Sequence, residues 1–147
     1  MVVKGYWQDA AATAREITDG FWHSGDIGNI DSEGFVRVFD RKKDMINRAG
    51  YKVFTAEVES VLSAHSHVIE AAVVGKPCPV LGERVHAFVT IKAETVSAEE
   101  LQRFCAERLS DYKVPESYTL QTAPLPRNAN GKLIKQVLKN RLRAATT

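Results

Sequence analysis

The residues best suited to chemistry lie in three segments where glycine and charge interrupt an apolar pattern: Ser24-Gly25-Asp26, Asp40 to Gly50, and Pro126 to Lys132. Breaks of this kind fall on loops, where function concentrates. Lys132 directly follows Gly131, and the spacing predicts that it opens an amphipathic helix running to Arg143. Backbone N–H groups at a helix start plus an ammonium form an anion site. A solvated lysine fits the same spacing, but a cation at a helix N-terminus is electrostatically misplaced, which favours a functional reason. A phosphate-binding P-loop is excluded. That motif needs glycine five residues before its second glycine and Ser or Thr after the lysine, and here those positions hold Pro126 and Leu133.

Asp26 and Arg41 form a second candidate pair. A short carboxylate accepts paired hydroxyl hydrogen bonds, and a guanidinium offers a planar fork to hydroxyl or phosphate oxygens, so together they suit a nucleotide ribose. A turn aspartate and a surface arginine fit the spacing equally. His65-Ser-His67 has no accompanying carboxylate or thiolate cluster, and Cys78 and Cys105 form no metal spacing. No metal site is assigned, and the two cysteines read as free thiols.

These segments need elements to position them. The first 25 residues carry the aromatics Tyr6, Trp7, Phe21 and Trp22 with no clean period. Asn29 to Gly34 is a turn signal between apolar stretches, and Phe35 to Phe39 alternates, so a β-hairpin is predicted there. Asp40 to Asp44 reads as a charged break, too polar for a sheet. A short strand at Met45-Ile46 and a turn at Arg48 to Gly50 follow. Thr55 is the expected N-cap of a helix whose apolar face holds Val58, Val61 and Leu62. Val68 to Val74 reads as a buried strand, Pro77 to Gly82 as a loop, and Arg84 to Ile91 as a second strand. Ser97-Ala-Glu-Glu100 is a capping box opening a helix to about Leu109, with Cys105 on its core face. Ser117 to Gln121 is a short strand. The pattern predicts an α+β fold, a small sheet with helices on its faces preceded by a β-hairpin.

The composition bounds the function classes. A chain of 147 residues with 44% hydrophobic residues can bury a core unaided. The net charge is +2 with both signs interspersed, which argues against a dedicated nucleic-acid binder. No apolar run reaches the length of a membrane span, and no signal peptide is recognisable, so a soluble cytoplasmic protein is expected.

Taken in order, the motifs resemble one family, the C-terminal portion of adenylate-forming enzymes: acyl-CoA synthetases, adenylation domains of peptide synthetases and beetle luciferases. The matching text is Gly5-Tyr-Trp7, Ala12-Thr13, Phe21-Trp-His-Ser-Gly-Asp26, Gly34 to Arg41, Lys43-Asp-Met-Ile46, Gly50-Tyr-Lys-Val53, Glu57-Val-Glu59, Gly82-Glu83 and Pro126-Arg-Asn-Ala-Asn-Gly-Lys132. The resemblance implies a mixed sheet flanked by helices, the lid domain of those enzymes. It divides the chain into residues 1–42, the tail of a preceding domain plus the hairpin, and residues 43–147, the lid. It implies that Lys132 bridges the carboxylate substrate and the α-phosphate. Asp26 would hold the ribose hydroxyls with help from Arg41, and Lys43 would be the hinge. Gly50, Tyr51 and Lys52 would line the pantetheine tunnel. ATP with Mg²⁺, coenzyme A and a carboxylic acid are implied as substrates of the full enzyme, none held tightly by this chain.

The large domain that would carry the adenine and acyl pockets has no counterpart here, so the chain alone is expected to be inactive, with either a mobile N-terminal stretch or self-association through its uncovered aromatics. Two other readings are a stand-alone non-catalytic binding module and a fragment that loads a carrier protein. Intact lysine, ribose and hinge positions favour the ligase over the first. A helix and short tail after Lys132, with no carrier domain, favour coenzyme A over the second. Cys78 stands where family members commonly have aspartate, and Ser24 where threonine is common, and neither is expected to matter much.

Overall fold

A computed structural model describes residues 3–92 and 96–144. The short tail expected beyond the last helix falls partly on 145–147, outside the described residues. The chain divides into two compact units, Met1–Lys43 and Asp44–Thr147.

The first unit contains a helix, α1 (Ala10–Glu16), where no period was apparent. Its signal is local: Asp9 accepts from the Ala12 N–H at 2.8 Å, and good helix formers follow that N-cap. Two short strands, β1 (Ile17–Thr18) and β2 (Phe21–Trp22), pair after it. The predicted hairpin follows as β3 (Asp26–Ile30) and β4 (Val36–Arg41). Asp31 closes its turn by accepting the N–H groups of Glu33 and Phe35. The charged segment does enter this sheet, contrary to expectation. Asp40 and Arg41 end β4, and the buried Asp40 carboxylate accepts the Arg41 N–H at 2.7 Å.

The second unit is a five-stranded mixed sheet. Strands β5 (Ile46–Arg48) and β6 (Tyr51–Val53) form a hairpin that joins the start of β8 through Arg48↔Gly82. Strands β7 (Val68–Cys78) and β8 (Gly82–Ile91) pair along their length, and β9 (Ser117–Gln121) runs parallel to β8 on its other edge. The loop expected at Pro77–Gly82 is shorter than its composition suggests, because Pro77 and Cys78 still pair with Glu83 and Gly82.

Helices cover both faces, which is why β7 reads as a continuous apolar run. On one side, Val73, Val85, Ala87 and Val89 pack with α2 (Thr55–Ser63) and α3 (Ala98–Ala106) through Val58, Leu62, Leu101 and Cys105. On the other, Ala72, Val74 and Phe88 meet Leu138 and Leu142 of α4 (Lys135–Ala144). The α+β architecture, helices on a small sheet, is as expected.

Among the helix boundaries, three differ most from expectation. Phe54, not Thr55, is the N-cap of α2; Thr55 is buried, and its hydroxyl accepts from the Lys135 ammonium at 2.6 Å. The α3 helix opens on Ser97, whose hydroxyl accepts the Glu100 N–H, but it ends at Ala106 rather than near Leu109. Most consequentially, α4 begins at Lys135, so Lys132 is not at a helix start.

Candidate functional site

Lys132 sits on a loop that is closed upon itself. Arg127 and Leu133 form an isolated antiparallel bridge. Asn128 donates its N–H to the Lys132 carbonyl at 2.9 Å, and Ile134 donates to Pro126 at 2.9 Å. Inside this frame the Asn128 side chain accepts from the N–H groups of Asn130 and Lys132 at 3.1 and 2.9 Å. Gly131 takes φ +77°, a conformation that disfavours any side chain. Lys132 is therefore not a cation misplaced at a helix N-terminus. It is marked instead by geometry: the lysine is exposed, its backbone is hydrogen-bonded, and its ammonium has no partner among the described residues.

Lys135, three residues on, behaves oppositely. Its ammonium reaches Glu59 at 2.7 Å and Thr55 at 2.6 Å, and its side chain is 14% exposed. Glu59 is itself fixed by the Val73 N–H at 2.7 Å. This lysine fastens α4 to α2 and has no charge to spare.

Asp26 and Arg41, far apart in sequence, are directly paired residues of β3 and β4. The Arg41 Nε lies 3.0 Å from Asp26 Oδ1, and its Nη2 donates to the Ser24 carbonyl at 3.1 Å. The Ser24 hydroxyl accepts the Asp26 N–H at 3.1 Å. The carboxylate is thus oriented through Oδ1, while Oδ2 has no partner among the described residues. An oriented carboxylate with a free oxygen accepts a hydroxyl donor well. Arg41, without Asp26, lines an open depression of the first unit together with Tyr6, Trp22, His23, Gly25 and Lys42.

Lys43 is exposed in a turn and is the last residue of the first unit. Gly50 lies in the second unit, at the β5–β6 turn. Ala49 and Gly50 both have positive φ, +50° and +89°, between the paired residues Arg48 and Tyr51. That is the two-residue hairpin geometry in which glycine suits the second position. Asn47 accepts the Gly50 N–H at 3.0 Å. Tyr51 is exposed and stacks on Tyr112 with centroids 4.9 Å apart, and Lys52 is exposed beside it. Arg48 pairs with Glu116 at 2.6 Å, which holds the turn to the segment before β9.

Glu70, Arg127 and Asn128 hold the Lys132 loop, and sequence reasoning did not single them out individually. Arg127 lies 57 residues from Glu70, its carboxylate partner, and no local pattern announces such a pair. Cys78 is the last residue of β7, at the turn into β8. The N–H of Leu81 first, then that of Val80 and the Arg84 side chain, pull its thiol below the usual pKa. An aspartate side chain would accept the same turn N–H groups.

No helix among the described residues is long and apolar enough to cross a membrane. A family model described as the AMP-binding enzyme C-terminal domain matches residues 57–132. The 2-succinylbenzoate–CoA ligase of Bacillus cytotoxicus is 44% identical over 142 residues, which are 96% of this chain and 29% of the ligase. The long-chain-fatty-acid–CoA ligase of Salmonella typhimurium is 41% identical over 97% of this chain and 25% of its own length. Among solved structures, ATP-bound MatB from Rhodopseudomonas palustris matches with a TM-score of 0.87 at 34% identity, covering 98% of this chain and 29% of that one. The o-succinylbenzoate CoA synthetase of Bacillus subtilis, in complex with its acyl-adenylate intermediate, matches with a TM-score of 0.85 at 40% identity, over 92% of this chain and 28% of the synthetase. The chain therefore spans little more than a quarter of the length of the relatives it matches.

Proposed function

Because the chain belongs to the AMP-binding enzyme C-terminal domain family, we propose that it is the C-terminal part of an ATP-dependent, AMP-forming carboxylic acid–CoA ligase. Its role is to supply Lys132 for acyl-adenylate formation. One observation carries the reading: an exposed ammonium, unpaired among the described residues, on a loop whose backbone is fixed from both ends.

The first half-reaction brings two anions together, a carboxylate and the α-phosphate of ATP. A preorganised ammonium at their meeting point offsets the repulsion and stabilises the charge that develops in the transition state. Mg²⁺ enters with the ATP phosphates as part of the substrate. Among the described residues no group of three His, Cys, Asp or Glu could hold it. Asp26 accepts the ribose hydroxyls through the oxygen that Arg41 leaves free. Lys43 serves as the hinge.

The second half-reaction must withdraw Lys132 and admit a thiol. Rotation about Lys43 exchanges the Lys132 loop for the Gly50–Lys52 turn, which lines the pantetheine path with an exposed tyrosine and a backbone free of a side chain at Gly50. The acid is chosen by the part of the ligase beyond this chain. Exchanging this domain between ligases of different acid preference should leave the preference unchanged.

The test is Lys132→Ala in the intact ligase. Adenylate formation, followed as carboxylate-dependent pyrophosphate exchange, falls by several powers of ten, while thioester formation from a preformed acyl-adenylate persists. Equal loss in both steps would reject the role. The isolated chain should show no exchange.

A further inference from the structure

We propose that Glu70 is a positioning residue for Lys132, acting through Arg127. The inference rests on the role of Lys132 given above. Glu70 lies on β7, within the rigid sheet, and both its oxygens are spent on the loop. Oε1 accepts the N–H of Leu125 at 2.8 Å, and Oε2 pairs with Nη2 of Arg127. Leu125 is buried with Phe88 and Leu138, so the loop leaves the core at a fixed point. The other arm of the Arg127 fork, Nη1, donates to the Gly131 carbonyl at 2.8 Å. That carbonyl belongs to the peptide bond preceding Lys132. A continuous path of hydrogen bonds therefore runs from the sheet to the peptide that carries the ammonium.

Stability is not an adequate reason for this arrangement. The Arg127 side chain is 46% exposed, and ion pairs that open to water add little to folding. Placement is different. A displacement of about 1 Å in a group that must meet a transition state costs on the order of a hundredfold in rate. Glu70 also keeps the Arg127 charge occupied, so the cation left to meet an anion at this loop is Lys132.

Two substitutions separate the functions of the pair. Glu70→Gln keeps an acceptor for Leu125 but sets an amide donor against the guanidinium. Arg127→Lys keeps the charge but replaces the fork with one point donor, which cannot serve Glu70 and Gly131 together in the same geometry.

The experiment uses the intact ligase, with the two half-reactions measured separately and thermal melting as a check on folding. Each variant should lower kcat of adenylation by about ten- to a hundredfold with little change in KM for ATP. Thioester formation from preformed acyl-adenylate should stay within about twofold, and the double variant should be no worse than the more damaging single one. In a Lys132→Ala background, Glu70→Gln should have no further effect. Loss spread equally over both half-reactions would overturn the inference, as would a full effect in the Lys132→Ala background. If Glu70→Gln melts early, Arg127→Lys decides, since it leaves the Leu125 bond in place. Lys132→Ala selective for adenylation with silent Glu70 and Arg127 variants would refute this inference alone. An unselective Lys132→Ala would remove the role of Lys132 and this inference with it.

Discussion

The two units of the chain treat their apolar residues in opposite ways. In residues 44–144 most large aliphatics point inward: Val53, Val58, Leu62, Val73, Val85, Val89, Leu101 and Leu138 have no exposed surface, with Ile69 and Val80 as exposed exceptions. In the first unit they face water: Trp7 is 89% exposed, Phe21 74%, and Phe35, Val36 and Val38 about two-thirds. The same kinds of residue make a closed core in one case and an open surface in the other. Large apolar side chains exposed in this number mark a surface made to be covered. The chain spans little more than a quarter of its relatives' length, and on the function proposed above the cover would be the remainder of the ligase. The second unit carries its fold in its own interior, whereas the first leaves its large apolar side chains uncovered.

This contrast is most easily broken where its expected effects are largest. Leu62→Ala, which empties a site packed between α2 and the sheet, should cost about 2–5 kcal/mol in denaturant melts of the chain. A loss below about 1 kcal/mol would mean that the second unit is not the closed core described here.

Acid offers the next test. His86 is buried on β8, bonded to Ser117 at 2.7 Å and Thr119 at 3.0 Å, and packs against Phe88. Burial, helped by the nearby Lys76 charge, lowers its pKa from 6.5 to about 4. The unfolded chain therefore takes up the proton first. The stability of the neutral form is complete above about pH 6.5 and declines as pH falls toward 4, by up to about 3 kcal/mol. Melts at pH 7.5, 5.5 and 4 check the slope, and His86→Phe should flatten it.

A smaller effect sharpens the role of the β5–β6 turn. Gly50→Ala forces a side chain into φ +89° and should cost about 1 kcal/mol. In the intact ligase it should slow thioester formation more than adenylation. The smallest effect belongs to the open surface. Trp7→Ser and Val38→Thr should change stability of the isolated chain by less than about 0.5 kcal/mol while reducing its self-association, read by sedimentation. A destabilisation as large as that of Leu62→Ala would erase the distinction between the units.

The regular parts of the second unit were legible in the sequence because their signals are local. The apolar run of β7, the alternation of β8 and the Ser97 capping box each depend on neighbours within a few residues. The boundaries that sequence reasoning misplaced are set by distant partners. Lys132 to Ile134 carries an amphipathic pattern, yet the bridge between Arg127 and Leu133 holds it out of α4. Thr55 looks like a cap, but a lysine 80 residues away claims its hydroxyl. The α1 helix is a different failure, since Asp9 and the alanines after it were readable and the surrounding aromatics obscured them. For the site, residue types pointed to Asp26, Arg41 and Lys132. The strand pairing that joins the first two and the frame around the third appeared only in three dimensions.

The most direct test asks whether the position needs a positive charge. Lys132→Cys in the intact ligase removes the ammonium, and alkylation of the new thiol with 2-bromoethylamine restores one at nearly the same reach. Identically treated parent enzyme controls for Cys78 and any other thiol. Carboxylate-dependent pyrophosphate exchange should collapse in Lys132→Cys and return on aminoethylation, with thioester formation from preformed acyl-adenylate unaffected throughout. Complete alkylation without recovery of exchange, or a Lys132→Cys enzyme as active as its parent, would contradict the account.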